Sequence, residues 1–388
     1  MTGGWLTLFF LLFQTLQAYL MSKPALAKIH TGIIGGGLSA RIFHGPFLVD
    51  PGSDFELVAF HRSRNEAVAG HDAAPDLDTV PVYTKLDEFL ALDPLELVIV
   101  TTPSHVHYEL VLACLKAGKH VLVEKPITPT QEEALELQDM AEQMNVGLFV
   151  YHNRVFDGDF LTIQKLVSER RLGDVVEFIS SWDSFSPSVK PGAWRETSVA
   201  ASGVLYDLGS HMIHQVIHLF GEPGTVQAQM GALRGVEGVT ADDYFHIVMT
   251  GFADRPRLVV RLRSSKLSAI PDARFKIHGT LGSAEITGGI DPQEDQLQFQ
   301  GIRVSSPDFG VYQPGRGKLV LPPAAPVEMP VERGDWKSFF AQTARDIRGL
   351  GAHTVQTSEA ILGIAVIEAA IRSSKTGNAE KVHMGRRQ

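Results

Sequence analysis

The feature that most constrains this chain is a β-branched apolar run, Ile29–Gly35 (IHTGIIG), that stops on glycines and passes into Gly35-Gly36-Gly37-Leu38-Ser39-Ala40. The run favours an extended strand, and glycine lets the backbone turn tightly at its end. A G-x-G-x-x-A turn between a strand and a helix lets backbone approach a pyrophosphate, whose charge sits on the N–H groups of the helix N-terminus. Four more apolar runs follow at Phe55–Phe60, Leu95–Thr101, Val121–Glu124 and Val146–Tyr151. None alternates with polar residues, which is the pattern of strands buried on both faces. Between them, Ser104 is placed to cap a helix carrying Val106, Leu110, Ala113 and Ala117, with Gly118 as its stop. Thr130 and Glu133 have capping-box spacing before Ala134, Leu137, Ala141 and Met144. Strand and helix in repetition predict a parallel sheet wound on both faces.

The second half reads differently. Strand candidates arrive in succession at Val175–Trp182, Val226–Leu233, Asp243–Phe252, Arg257–Arg263, Arg274–His278 and Ala284–Thr287. Helical stretches interrupt or follow them at Phe160–Glu169, Leu205–Phe220, Trp336–Arg348 and Ser358–Ser373, and the Pro-, Gly- and Gln-rich stretch 288–333 predicts a long hairpin or irregular excursion. The fold class is therefore α/β: an N-terminal Rossmann dinucleotide-binding domain over 29–150, then a C-terminal α+β domain over 151–388 with a large, mostly antiparallel open sheet. Residues 1–28 form an N-terminal extension with an apolar run from Leu6 to Phe13, broken by Thr7. No basic residue precedes that run, against a secretory signal, and Gln14 and Gln17 interrupt the longer stretch 1–21, against a spanning helix. The expectation is that Met21 is the working start, that residues 1–20 are dispensable and that the protein is cytoplasmic. The alternative, with Ala25-Leu26-Ala27 as a cleavage site, is export on a signal peptide spanning residues 1–27.

Thirty-five Lys and Arg stand against 44 Asp and Glu, a formal net charge of −9. That leaves no basic excess for nucleic acid and suits a protein of small molecules. Cys114 is the single cysteine, so neither an intrachain disulfide nor a cysteine zinc cluster can form.

Three places could carry chemistry besides the glycine turn's own contacts. The second strand ends His61-Arg62-Ser63-Arg64, where a carboxylate for the ribose hydroxyls of NAD is missing and guanidinium groups could engage a 2′-phosphate. NADP is thus expected, with NAD as the alternative; a basic solvated loop is the bland reading. Glu124-Lys125-Pro126 closes a buried strand, and Lys125 there could donate to a substrate oxygen. Asp207, His211, His214 and His218, spaced four, three and four apart, share one helical stripe. Either His211 is a general acid/base oriented by Asp207, with the later histidines packed into the domain, or the stripe holds zinc as in a metal-dependent hydrolase. One helix face cannot easily point four ligands at one ion, so no metal is expected.

The glycine turn, TTPSHVHYELVLACLKAGKHVLVEKP at 101–126 and SGVLYDLGSHMIHQVIHLFG at 202–221 together resemble the Gfo/Idh/MocA family of oxidoreductases. Tyr151-His152-Asn153-Arg154 and AWRETSVAASG at 193–203 look closest to its NADP-linked scyllo-inositol dehydrogenase branch. The resemblance implies hydride transfer between a sugar or polyol carbon and nicotinamide. It places the catalytic lysine, histidine and aspartate at Lys125, His211 and Asp207. It implies cofactor contacts from Gly35, Gly37, Leu38, Ser39, Ala40, Arg62, Ser63, Thr102, Pro103, His107, Glu124, Lys125 and Asn153, and substrate contacts from Lys125, Arg154, His211 and His214. Many members carry Asp where this chain has His214, which bears on substrate identity. A small sugar or polyol as substrate is implied, with no nucleic-acid partner, no stable membrane association, and a homodimer or homotetramer formed through the C-terminal sheet. The competing class is a catalytically silent NADP-binding sensor or scaffold, which would tolerate Lys125→Ala.

Overall fold

The computed structural model describes residues 26–62, 77, 79–189, 194–289 and 291–385. Residues 1–20, Ser63 and Arg64, on which the start-site and part of the cofactor expectations rest, lie outside them. No helix among the described residues is long and apolar enough to cross a membrane.

Six parallel strands form the first sheet: β1 (Ile29–Ile34), β2 (Phe55–His61), β3 (Val82–Tyr83), β4 (Leu97–Val100), β5 (His120–Val123) and β6 (Leu148–Val150). Their order is β3-β2-β1-β4-β5-β6, so the winding direction reverses between β1 and β4. In open α/β sheets the crevice for ligands lies at that reversal, off the carboxyl ends of the strands. β4 is buried at all four positions, as its LVIV run requires of a strand covered on both faces. The capping box forms as expected: Glu133 N donates to Thr130 Oγ1 at 3.3 Å and Thr130 N to Glu133 Oε2 at 3.2 Å, opening the helix Gln131–Met144. Ser104 does not cap. It enters the tight turn Ser104–Val106 without a capping side-chain bond, and the helix His107–Lys116 begins after it.

Nine strands form the second sheet: β7 (Val175–Ser181), β8 (Thr225–Gly231), β9 (Tyr244–Thr250), β10 (Val259–Ser265), β11 (Phe275–Gly279), β12 (Ser283–Ile286), β13 (Gly317–Val320), β14 (Val327–Met329) and β15 (Glu380–Lys381). Their order is β14-β13-β12-β11-β7-β10-β9-β8-β15, antiparallel throughout except where β10 runs parallel to β7. The irregular stretch resolves into a helical segment, Pro292–Gln300, and the β13–β14 hairpin that lengthens this sheet. In β9 buried positions alternate with half-buried ones, so one face packs inward and the other looks out.

The chain then returns to the first sheet. In the helix Trp336–Ile347, Phe340 stacks on Phe47 with ring centroids 4.7 Å apart and meets Phe55 edge-on at 6.3 Å. Burying a phenylalanine of this kind contributes about 1.5–3 kcal/mol. The long helix Thr357–Thr376 follows, and Thr357 Oγ1 donates to the Leu148 carbonyl of β6.

Candidate functional site

The glycine turn needs its glycines for different reasons. Gly35 has φ +105°, and a Cβ there would stand 2.6 Å from Thr101 Oγ1. At Gly37 a Cβ would meet no atom within 4 Å, because the position opens into a cleft. A bare backbone facing open space, followed by the start of the helical turn Ser39–His44, is a cradle for a diphosphate. The cleft holds about 1050 Å³ and runs from this turn past Thr102, Pro103 and Lys125 to the second sheet. The residues present therefore fit a dinucleotide.

Among the expected cofactor residues, Gly35, Gly37, Leu38, Ser39, Thr102, Pro103, Glu124 and Lys125 line the cleft. Ser39 spends its hydroxyl on Glu124, whose Oε1 also lies 3.0 Å from His44 Nε2. Burial works to raise the Glu124 carboxyl, but the bonds from His44 and Ser39 bring it down to about 2. Ala40, Arg62, His107 and Asn153 are not on the cleft wall. His107 is buried behind it, its ring nitrogens 2.8 Å from the Pro126 carbonyl and 2.9 Å from that of Thr102, so it braces the two loops. Arg62 lies over the Phe60 ring, 4.9 Å from its centroid, at the end of β2.

The cleft centre joins the two sheets. Lys125, at the end of β5, donates from Nζ to Asp207 Oδ1 at 3.0 Å and also to the Asp207 carbonyl. Arg195 Nε reaches the same carboxylate oxygen at 3.1 Å. Burial would raise the Asp207 carboxyl; Lys125 and Arg195 instead hold it well below the usual range. His211 lines the cleft beside them, while its Nδ1 is buried with no hydrogen-bond partner. Burial first, and then the charges of Lys125 and Arg154, keep its pKa well below 6.5.

Two expectations about this helix meet a different geometry. The Asp207 carboxylate bonds Lys125 and Arg195, and no bond from it to His211 is found among the described residues. Residues Leu205–Gly209 make a wide π-type turn before the regular helix Ser210–Phe220 begins, so four-residue spacing does not superimpose their side chains. His214, expected at the substrate, is stacked on His152 at 4.0 Å, with Nε2 3.2 Å from Glu359 Oε2, and is not among the residues that line the cleft. The zinc alternative finds no support in this geometry, since Asp207 turns to Lys125 while His214 and His218 turn to Glu359. Among the described residues no three His, Cys, Asp or Glu side chains are arranged to hold a metal.

Arg154 lines the cleft as expected, but its guanidinium is engaged by Glu294 and Asp157. Sequence reasoning missed Trp182, Arg195, Lys266 and Arg274, which complete the far wall. The guanidinium groups of Arg274 and Arg154 both lie over the Trp182 ring, 4.7 and 5.2 Å from its centroid. Trp182 closes a predicted strand, and a large aromatic at the end of a strand was the signal available.

Fold and cleft together define the class: a Rossmann NAD-binding domain whose crevice is completed by a second α/β domain. Residues 29–152 match the model "Oxidoreductase family, NAD-binding Rossmann fold" and residues 164–384 match "Oxidoreductase family, C-terminal alpha/beta domain". The chain belongs to the Gfo/Idh/MocA family of oxidoreductases. It is 39% identical over 360 residues to the scyllo-inositol 2-dehydrogenase (NADP(+)) IolW of Bacillus subtilis, covering 92% of this chain and 96% of that one. An uncharacterized oxidoreductase of Schizosaccharomyces pombe is 39% identical over 371 residues, covering 91% of this chain and 99% of its own. Among solved structures, the oxidoreductase yvaA of Bacillus subtilis superposes with a TM-score of 0.84 at 37% identity, covering 93% of this chain and all of that one.

Proposed function

We propose that the protein is an NADP-dependent dehydrogenase that transfers hydride between a secondary hydroxyl of a sugar or inositol-like polyol and nicotinamide. The observation that carries this reading is that Lys125 and His211 line one cleft with the glycine turn, at the seam of the two sheets. The IolW relative, named for NADP and scyllo-inositol, supports the cofactor and the substrate class.

A bound nicotinamide dinucleotide supplies the hydride acceptor. His211, kept neutral at pH 7 by its surroundings, accepts the hydroxyl proton as the carbon–hydrogen bond is given up. Lys125 donates a hydrogen bond to the same oxygen and stabilises its developing charge. Asp207 and Arg195 position Lys125: the carboxylate anchors the ammonium, and Arg195 anchors the carboxylate. The reading carries with it a cytoplasmic enzyme, in keeping with the unbridged, buried Cys114. It also carries a homodimer or homotetramer, supported by the half-buried outer face of β9.

A panel of inositols, pyranoses and their keto forms, followed by cofactor absorbance, tests the reading. Turnover with NADP(H) is expected. No turnover of any compound with either cofactor would refute the enzyme reading, and preference for NAD would refute the cofactor.

A further inference from the structure

The histidine stripe has work left over. Behind His211 the rings continue inward. His152 meets His211 edge-on with centroids 5.9 Å apart, and stacks on His214 at 4.0 Å and 2° between planes. His214 Nε2 and His218 Nδ1 each lie 3.2 Å from Glu359 Oε2. His218 then lines a separate surface pocket with Gln164, whose Nε2 is 3.5 Å from His218 Nε2. The Nδ1 atoms of His211 and His152 are both buried without a hydrogen-bond partner. A single such nitrogen left unsatisfied costs about 1–3 kcal/mol, yet here three occur on successive rings, the third being His214 Nε2, which approaches Glu359 without hydrogen-bond geometry.

We infer that His152, His214, Glu359 and His218 form a proton relay joining the catalytic His211 to the surface pocket at the other end of the helix. This rests on the dehydrogenase reading, because oxidation of a hydroxyl leaves one proton on His211 while substrate and cofactor fill the cleft. That proton leaves His211 from Nδ1 and passes to His152 and then His214. It reaches solvent by way of Glu359 and His218. One proton enters from the substrate oxygen, one departs at the pocket, and each ring regains its neutral form. Only the last step, Glu359 to His218, is spanned by a hydrogen bond; between His211 and His152, across the stack, and between His214 and Glu359, rotation of the imidazoles about Cβ–Cγ carries the proton.

The charges that face the relay give it a direction. Lys125 and Arg154 stand at the cleft end, and Lys125 disfavours a proton on both His211 and His152. At the other end Glu359 stays ionised, its carboxyl brought down to about 2 by His214 and His218 against the effect of burial, and it attracts a proton to His214. The mutual repulsion of His152 and His214 limits the pair to one proton at a time.

Glu359→Gln keeps the shape and removes the attracting charge; His214→Phe keeps the stack and removes the carrier. For each variant, kcat for alcohol oxidation should fall about 10-fold or more, less than the roughly 10²–10⁴ of losing the acid/base itself, with KM unchanged. The solvent deuterium effect should grow, the substrate deuterium effect should shrink toward one, and added imidazole should restore the rate. Folded variants with wild-type kcat and isotope effects would overturn the relay, as would a loss of melting temperature alone. Nitrogen-15 NMR of the histidines, without substrate, supplies the second arm. His214 should take up a proton before His211 and His152 in the wild type, and Glu359→Gln should abolish that order. If His211 is protonated first, the relay is wrong. If the wild type oxidises nothing, the dehydrogenase reading fails, and the NMR order still decides the relay.

Discussion

Lys125 Nζ sits 3.0 Å from Asp207 Oδ1, so the group that would hold the substrate oxygen is pinned across the seam between the two sheets. Any change in how the sheets meet is a change in where that ammonium points.

Lys125→Met removes a donor aimed at the reacting oxygen. Its kcat should drop by about 10²–10³. His211→Ala should cost about 10²–10⁴. Both variants should keep cofactor affinity within a few-fold, measured by quenching of protein fluorescence. Because the two groups act on one oxygen, the double variant should lose much less than the product of the single losses.

Asp207→Asn separates two roles. If the carboxylate serves Lys125, kcat falls while the acidic limb of kcat/KM, set by His211, keeps its position. A shifted limb in the pH–rate profile would return Asp207 to the service of His211.

Stability should depend on pH with a definite sign. His107, His152, His211, His214 and His353 are all pushed below 6.5, burial being the first cause at each, and His353 falls to about 4. The unfolded chain then binds protons that the folded one refuses. Stability is fully present above pH 6.5 and is lost as pH falls through the folded values, with about 3 kcal/mol at stake for His353 alone. Calorimetry should show Tm falling steadily between pH 6.5 and 4. A flat profile over that range contradicts the burial of neutral rings.

The cofactor preference rests on Arg62 among the described residues. A charge-assisted hydrogen bond contributes about 1.5–3 kcal/mol. Arg62→Ala should therefore lower kcat/KM for NADP(H) by about 10- to 100-fold and leave NAD(H) nearly unchanged. Equal losses with both cofactors would assign Arg62 a purely structural role over Phe60.

What could be read from residues alone was what local physics controls. The apolar runs mark β1, β4, β5 and β6 because strands covered on both faces leave little room for polar alternation, and β2 is marked by its run although Glu56 is exposed. The Thr130–Glu133 box was legible because both bonds form within one turn. The two-residue strands β3 and β15 were not, since so short a pairing leaves no periodic signature. Helical spacing points Asp207 toward His211 only if the helix is regular, and the wide turn at Leu205–Gly209, set by surroundings, turns its carboxylate to Lys125 and Arg195. Trp182, Arg195, Lys266 and Arg274 come from separate elements, and only the assembled second sheet brings them to one wall.

The return of Trp336–Ile347 onto Phe47 and Phe55 has a consequence for biosynthesis. The nucleotide-binding half is encoded first, yet part of its core arrives almost last. On the ribosome, the first sheet must wait for some two hundred further residues before its aromatic cluster can close. A premature stop anywhere upstream of Trp336 thus damages both halves of the molecule, and residues 29–150 expressed by themselves would present Phe47 and Phe55 to chaperones as an open apolar surface.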